Sequence, residues 1–263
     1  MIIFAVPYRK VDYYMITKIT ITPMNSPMNG IVAFAHITVD DVVNINSITV
    51  RLKQDGKGLY VRMPQKKTTN GNYIDVAHPM SKEGRATLNA AVLGAYKKAC
   101  ENGINKQEYS VPENYKLEIS ARNCVKYEPG KFGNALGRLD ITVGDMVIHN
   151  CRVYLSKDGN MNISMPMYQD KEGQYHAIVV PSDKAAYNEL RSTAVNEYNI
   201  NYVVRKVSEQ ELDALKNNTD IDFQAKETNG EIAIRFKAED AQRVDNCLKV
   251  VQAMQNAPSP VQL

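Results

Sequence analysis

An α+β fold is predicted for this chain of 263 residues. Two tandem modules, each an antiparallel sheet with a C-terminal helix, form an intramolecular pseudo-dimer, and a small βαββα domain follows. Three observations lead there. Short segments alternate apolar and polar residues with period two, as strands with one buried face do. A set of framework residues recurs at a constant offset of 102. A capping box at Ser208-Glu209-Gln210-Glu211, followed by an Asn229-Gly230 turn between alternating segments, marks a separate unit after residue 200.

Residues 1–14 form an N-terminal extension, with Ile2 to Val6 a candidate added strand. Met15 to Thr22 alternates cleanly and opens the first copy, residues 15–100, while Pro23 to Asn29 reads as a loop. Ile31 to Val39 and Val42 to Leu52 are strands joined by a tight Asp40-Asp41 turn. In Gly58 to Met63, alternation sends Leu59, Val61 and Met63 one way and Tyr60 and Arg62 the other. Pro64, with no N–H to donate, ends that pairing. Lys66 to Gly71 is a basic polar loop with an Asn70-Gly71 turn. Asn72 to Val76 then returns extended, with Ile74 and Val76 on one face and Tyr73 and Asp75 on the other. Ser81 can cap a helix over Ala86 to Ala99, in which Leu88, Ala91, Val92, Ala95 and Tyr96 form the buried stripe. Residues 101–115, with Gly103 and Pro112, read as a linker.

The second copy covers 116–200. Met63-Pro64 recurs as Met165-Pro166, Pro79 as Pro181 and Tyr96 as Tyr198. Lys116 to Val125 is its first strand, and Tyr127 to Gly137 a glycine-rich hairpin connection without the Gly-Lys-Ser/Thr ending of a phosphate cradle. Leu139 to Val143, Met146 to Leu155 and Asn162 to Met165 are strands, and Asp183 to Tyr198 a helix with Ser182 as its candidate cap. Lys66, Lys67, Asp75 and His78 correspond to Tyr168, Gln169, Ala177 and Val180, so the framework persists and the basic loop does not. A fold that pairs with an identical partner can pair with a fused copy. The first copy is therefore expected to carry the contacts and the second to complete the interface.

In residues 201–255, Tyr202 to Val207, Ile221 to Lys226 and Glu231 to Lys237 are strands. A short helix ends at Asn217, and a longer one over Glu239 to Met254 aligns Val244, Leu248 and Val251. This βαββα unit resembles small accessory modules of conjugative and phage-like elements. Residues 256–263 are a tail.

Net charge is +3, unevenly spread. Residues 14–100 hold 11 Lys and Arg against 5 Asp and Glu, residues 116–200 hold 10 of each, and residues 201–263 hold 8 against 10. No apolar run is long enough for a membrane span, and no signal segment is evident at Ile2 to Val6. The single cysteines Cys100, Cys124, Cys151 and Cys247 suit reduced thiols in the cytoplasm. With four histidines and no ligand-like spacing, neither a metal nor another cofactor is expected.

The stretch Gly58 to Pro79, GLYVRMPQKKTTNGNYIDVAHP, resembles the bacterial septation regulator family SpoVG, and the resemblance extends over Met15 to Lys98. It implies a small α+β protein that dimerises and binds DNA and RNA as a regulator without catalysis. Gln65, Lys67 and Thr69 depart from the family's usual Ser, Arg and Pro, and the basic character survives.

The candidate nucleic-acid-binding residues are Tyr60, Arg62, Lys66, Lys67, Thr68, Asn70, Tyr73, Lys82 and Arg85. Cationic side chains release counterions from phosphates, and aromatic rings stack on unpaired bases. The residues alone leave a second alternative: solvated loop charges beside tyrosines packed at a domain interface. His78 with Asp75 lacks a nucleophile and reads as a structural hydrogen bond, and no set of residues calls for an enzyme. A further alternative is a protein-binding adaptor or inhibitor encoded by a phage or conjugative element, with a host protein partner contacted through the C-terminal domain. Further homodimerisation is left open.

Overall fold

Strands β1 (Ile16–Met28), β2 (Ile31–Val39) and β3 (Val43–Leu52) form an antiparallel meander. The connection between β2 and β3 takes left-handed backbone at Asp40 and Asp41, φ 52° and 55°, the two central residues of a turn closed by Val42 N–H to Val39 O at 2.9 Å. Ile19, Ile21, Ala33, Ala35, Ile37, Val43 and Ile45 alternate into the core, and Ile48 and Val50 resume the alternation after left-handed Ser47, φ 62°. These coordinates are a computed structural model that describes residues 16–255 except 69, 111–115, 129, 219 and 229. The N-terminal candidate strand, Pro112, Asn229 and the tail lie outside the described residues. Two compact units divide after Tyr198.

The first unit continues with β4 (Leu59–Arg62), the hairpin β5 (Gln65–Lys67) and β6 (Tyr73–Asp75), β7 (Ala77–Pro79), and helix α1 (Lys82–Asn102). Then come β8 (Lys106–Glu108), β9 (Ile119–Lys126), β10 (Ala135–Val143), β11 (Met146–Leu155) and β12 (Met161–Ser164). It closes with the hairpin β13 (Met167–Gln169) and β14 (Tyr175–Ala177), β15 (Val179–Pro181), and helix α2 (Lys184–Asn199). From β4 to the first residue of α1, each bound returns 102 residues later, from β12 to the first residue of α2.

Two of the shortest strands cross between these runs. Sheet order is β15-β3-β2-β1-β8 with β4 also on β3, and β12-β11-β10-β9 with β7 also on β11. Thus β7 pairs with β11, His78 opposite Val147, and β15 pairs with β3, Val180 opposite Asn44. The flanking bonds match: Met80 N–H donates to Asp145 O at 2.8 Å, and Ser182 N–H to Val42 O at 2.8 Å. One hydrophobic core takes in both sheets, with Leu88 and Val92 of α1 and Leu190 and Ala194 of α2.

Local chemistry accounts for several departures from the sequence reading. β1 runs on through Pro23, because β8 flanks it only at Lys18 to Thr20 and a missing N–H there costs no ladder bond. Lys106 to Glu108, expected in a linker, adds an edge strand to β1. Gly137 lies inside β10 rather than in a loop; a Cβ there would meet Val125 O at 2.7 Å and the Tyr198 ring at 3.2 Å. Asp183 caps α2 in place of Ser182, its carboxylate accepting from Ala186 N–H at 2.8 Å. Ser182 instead gives its hydroxyl to Asp41 O. Ser81 caps α1, accepting from Gly84 N–H at 2.9 Å.

The second unit holds β16 (Tyr202–Val207), α3 (Glu209–Lys216), β17 (Phe223–Thr228), β18 (Glu231–Lys237) and α4 (Ala241–Gln255), with sheet order β16-β18-β17. The reciprocal Ser208–Glu211 capping box opens α3. Leu215, Ile234, Phe236 and Val244 form its core.

Candidate nucleic-acid interface

The β5–β6 hairpin sets Lys66 opposite Ile74 and Lys67 opposite Tyr73. Its tip closes through Thr68, whose N–H donates to Asn72 O at 2.7 Å and whose hydroxyl reaches the same oxygen at 3.0 Å. Gly71 N–H returns to Thr68 O at 3.0 Å from left-handed backbone, φ 83°, which glycine adopts without penalty. Thr68 therefore shapes the turn, while Asn70 is exposed on it.

Lys66, Lys67 and Lys82 are exposed and enter no ion pair among the described residues. Tyr60 and Tyr73 are 38% and 58% exposed. The two arginines are tied inward. Arg62 Nε donates to Gln65 Oε1 at 2.8 Å, Gln65 Nε2 to Asp75 Oδ1 at 2.8 Å, and Arg85 Nη2 to Asp75 Oδ2 at 3.0 Å. The Arg62 guanidinium also lies 5.8 Å from the Tyr73 ring centroid. All nine candidates thus sit on β4, the β5–β6 hairpin and the first turn of α1. The lysines and tyrosines face solvent, and the arginines hold the hairpin to β4 and α1.

Two sequence expectations are corrected. Ile74, placed inside with Val76 by alternation, is 42% exposed, because the two-stranded hairpin has no layer behind that face. His78 reaches His149 rather than Asp75, with 3.2 Å between Nε2 atoms. His149 Nδ1 lies 3.1 Å from Asp140 Oδ2. These groups line a groove of about 680 Å³ together with Tyr73, Asn123 and Arg138. Sequence reasoning missed His149 and Asp140, since 71 residues separate the two histidines and no spacing signals their contact.

On the hairpin β13–β14, Tyr168 and Gln169 stand where β5 has Lys66 and Lys67. Tyr168 stacks on His176 with ring centroids 5.0 Å apart, and Tyr175 is 68% exposed. His176 Nε2 meets Asp170 Oδ2 at 2.6 Å, and that hydrogen bond holds the Asp170 carboxyl below the ordinary aspartate range.

A mixed α+β protein with antiparallel sheets and a basic, tyrosine-flanked hairpin is the class so defined. Residues 14–98 match the SpoVG family, and the chain belongs to it. It is 40% identical over 73 residues to a SpoVG protein of Treponema denticola, named for septation, covering 76% of that protein and 28% of this chain. Its counterpart in Oceanobacillus iheyensis is 38% identical over 76 residues, 77% of its length and 29% of this chain. That of Phytoplasma australiense is 32% identical over 91 residues, 90% of its length and 34% of this chain. Each of these relatives carries the name of a septation protein. Among the described residues, no helix is long and apolar enough to cross a membrane.

Proposed function

We propose that this chain is a nucleic-acid-binding regulator of the bacterial cytoplasm, built from two SpoVG-type modules that pair with each other within one polypeptide. The reciprocal crossing of β7 and β15, with matched flanking hydrogen bonds, supports an internal pseudo-dimer. The observation that carries the binding reading is the exposure of Lys66 and Lys67, in no ion pair among the described residues, on a hairpin flanked by Tyr60 and Tyr73. Lysines at such a tip meet phosphates and release counterions, while the rings offer stacking faces to bases.

Titrating labelled single- and double-stranded oligonucleotides between about 50 and 200 mM salt tests this, with Lys66→Glu/Lys67→Glu as the comparison. The double reversal is expected to weaken binding at least tenfold and to reduce the slope of log K against log salt by roughly 1.4 to 1.8. Absence of binding at the lowest salt, or indifference to the reversal, would sink the reading.

The exposed, uncharged Met167, Tyr168 and Tyr175 of β13–β14 favour a second reading, a protein-docking adaptor or inhibitor of phage or conjugative origin. Partners retained from nuclease-treated lysate and lost in Tyr168→Ser/Tyr175→Ser would support it.

A further inference from the structure

At the β7–β11 crossing, both imidazoles are fixed at Nδ1. His78 Nδ1 lies 2.8 Å from Pro79 O, and His149 Nδ1 lies 3.1 Å from Asp140 Oδ2. A carbonyl and a carboxylate only accept, so each Nδ1 carries the hydrogen. Asn123 Nδ2 donates to Asp140 Oδ2 at 2.9 Å and Asn150 N–H to Asp140 Oδ1 at 3.2 Å, so the acceptor behind His149 is held in place by donors on both its oxygens. In the neutral rings both Nε2 atoms then present lone pairs, and they face each other at 3.2 Å. Facing lone pairs repel, so the arrangement asks for a cation between them.

The separation suits a metal ion. Two imidazole nitrogens bound at about 2.0–2.1 Å and a tetrahedral angle lie about 3.3 Å apart. The outer partners are those metal-binding histidines use, one carboxylate and one backbone carbonyl. We propose that His78 and His149 together bind one divalent transition-metal ion of the kind imidazole prefers, such as zinc or nickel, with Asp140 and the Pro79 carbonyl fixing the two rings. Among the described residues no third His, Cys, Asp or Glu joins them, so the remaining positions are left to water in the groove. The reciprocal crossing carries Val180 and Asn46 in place of His78 and His149, which leaves it without an imidazole pair. This inference stands apart from the nucleic-acid reading.

The test is calorimetric titration of zinc and of nickel into the full, tag-free chain, with the exposed Cys100 replaced by Ser, beside ¹⁵N-histidine spectra. One equivalent is expected to bind, shifting the Nε2 signals of His78 and His149 and leaving those of His36 and His176. His78→Val and His149→Asn reproduce side chains the fold already seats at the other crossing, and each should weaken binding at least tenfold. Asp140→Asn, which loosens ring orientation, should weaken it by about tenfold. The proposal is overturned by no binding at millimolar metal, by unchanged affinity in His78→Val, or by Nε2 signals that answer to pH and to neither metal, the mark of a shared proton.

Discussion

Arg85 donates to the Asp75 carboxylate at 3.0 Å and so ties the first turn of α1 to β6. Asp75 also accepts from Gln65 Nε2 at 2.8 Å, and Gln65 in turn holds Arg62. Removing Asp75 strands both donors, whereas removing Arg85 frees a carboxylate that keeps one partner. Asp75→Ala is therefore expected to cost about 1–3 kcal/mol. Arg85→Ala should cost less than about 1 kcal/mol, since its side chain is already 36% exposed. Urea unfolding measures both, and amide exchange at Lys67 and Thr68 should accelerate most in Asp75→Ala. Equal exchange in the two variants would mean that this chain of bonds does not hold the hairpin.

The crossings offer a second test. Asp145, 6% exposed, accepts from the Ser81 hydroxyl at 2.6 Å and from Ser81 N–H at 3.2 Å. Asp145→Ala removes a charged acceptor from a buried seam and should destabilise the unit ending at Tyr198 by about 2–3 kcal/mol. Ser81→Ala loses the helix cap as well as the seam bond and should cost about 1–2 kcal/mol. Residues 199–255 have their own core, so their unfolding transition is expected to stay in place. Thermal unfolding followed by tyrosine absorbance and by exchange at Phe236 separates the two units.

Alternation made the long strands legible: Val43 and Ile45, and Ile48 and Val50 beyond left-handed Ser47, are buried on β3; of the α1 stripe Leu88, Val92 and Ala95 are buried and Ala91 and Tyr96 partly so. The nine residues grouped from the sequence fall on adjoining elements because each lies within a few positions of Pro64 or Pro79, where local rules suffice. The crossing strands were hidden, since Ala77-His78-Pro79 is too short to carry a period. The His149–Asp140 contact was hidden for a different reason. It depends on left-handed Asn123 and Asn150, φ 56° and 61°, beside register shifts in β10 pairing. Such bulges re-aim side chains without leaving a pattern in the residue order.

Two glycines should respond in opposite directions to the same methyl group. At Gly137 an added Cβ meets backbone Val125 O at 2.7 Å, and backbone cannot step aside. Gly137→Ala should therefore cost about 1–3 kcal/mol. Gly94 is exposed on α1 with nothing within 4 Å of the added carbon. Gly94→Ala should gain about 0.5–1 kcal/mol by restricting the unfolded chain and improving helix propensity. Denaturant midpoints of the two variants against wild type check the pair, and a gain at Gly137 would contradict the close approach of β9.

The acid limb of stability should report Asp140. Burial opposes its charge, but His149, Asn123 and the Asn150 N–H outweigh that and hold its carboxyl below the unfolded value near 3.8. A group depressed in the folded state contributes stability that is complete above its unfolded value and drains away as pH falls through the lower folded value. Wild type is thus expected to lose stability as pH drops below about 4, and Asp140→Asn should flatten that part of the curve while lowering stability at neutral pH. Denaturant unfolding across a pH series measures both effects. His149→Asn removes the largest of the stabilising contacts, so in that variant Asp140 should titrate closer to its unfolded value and the acid limb should again be shallower. A limb equally steep in all three proteins would place the protons elsewhere, with the exposed Asp158 and the half-buried Asp170, both also held low by local hydrogen bonds, as the groups to vary next.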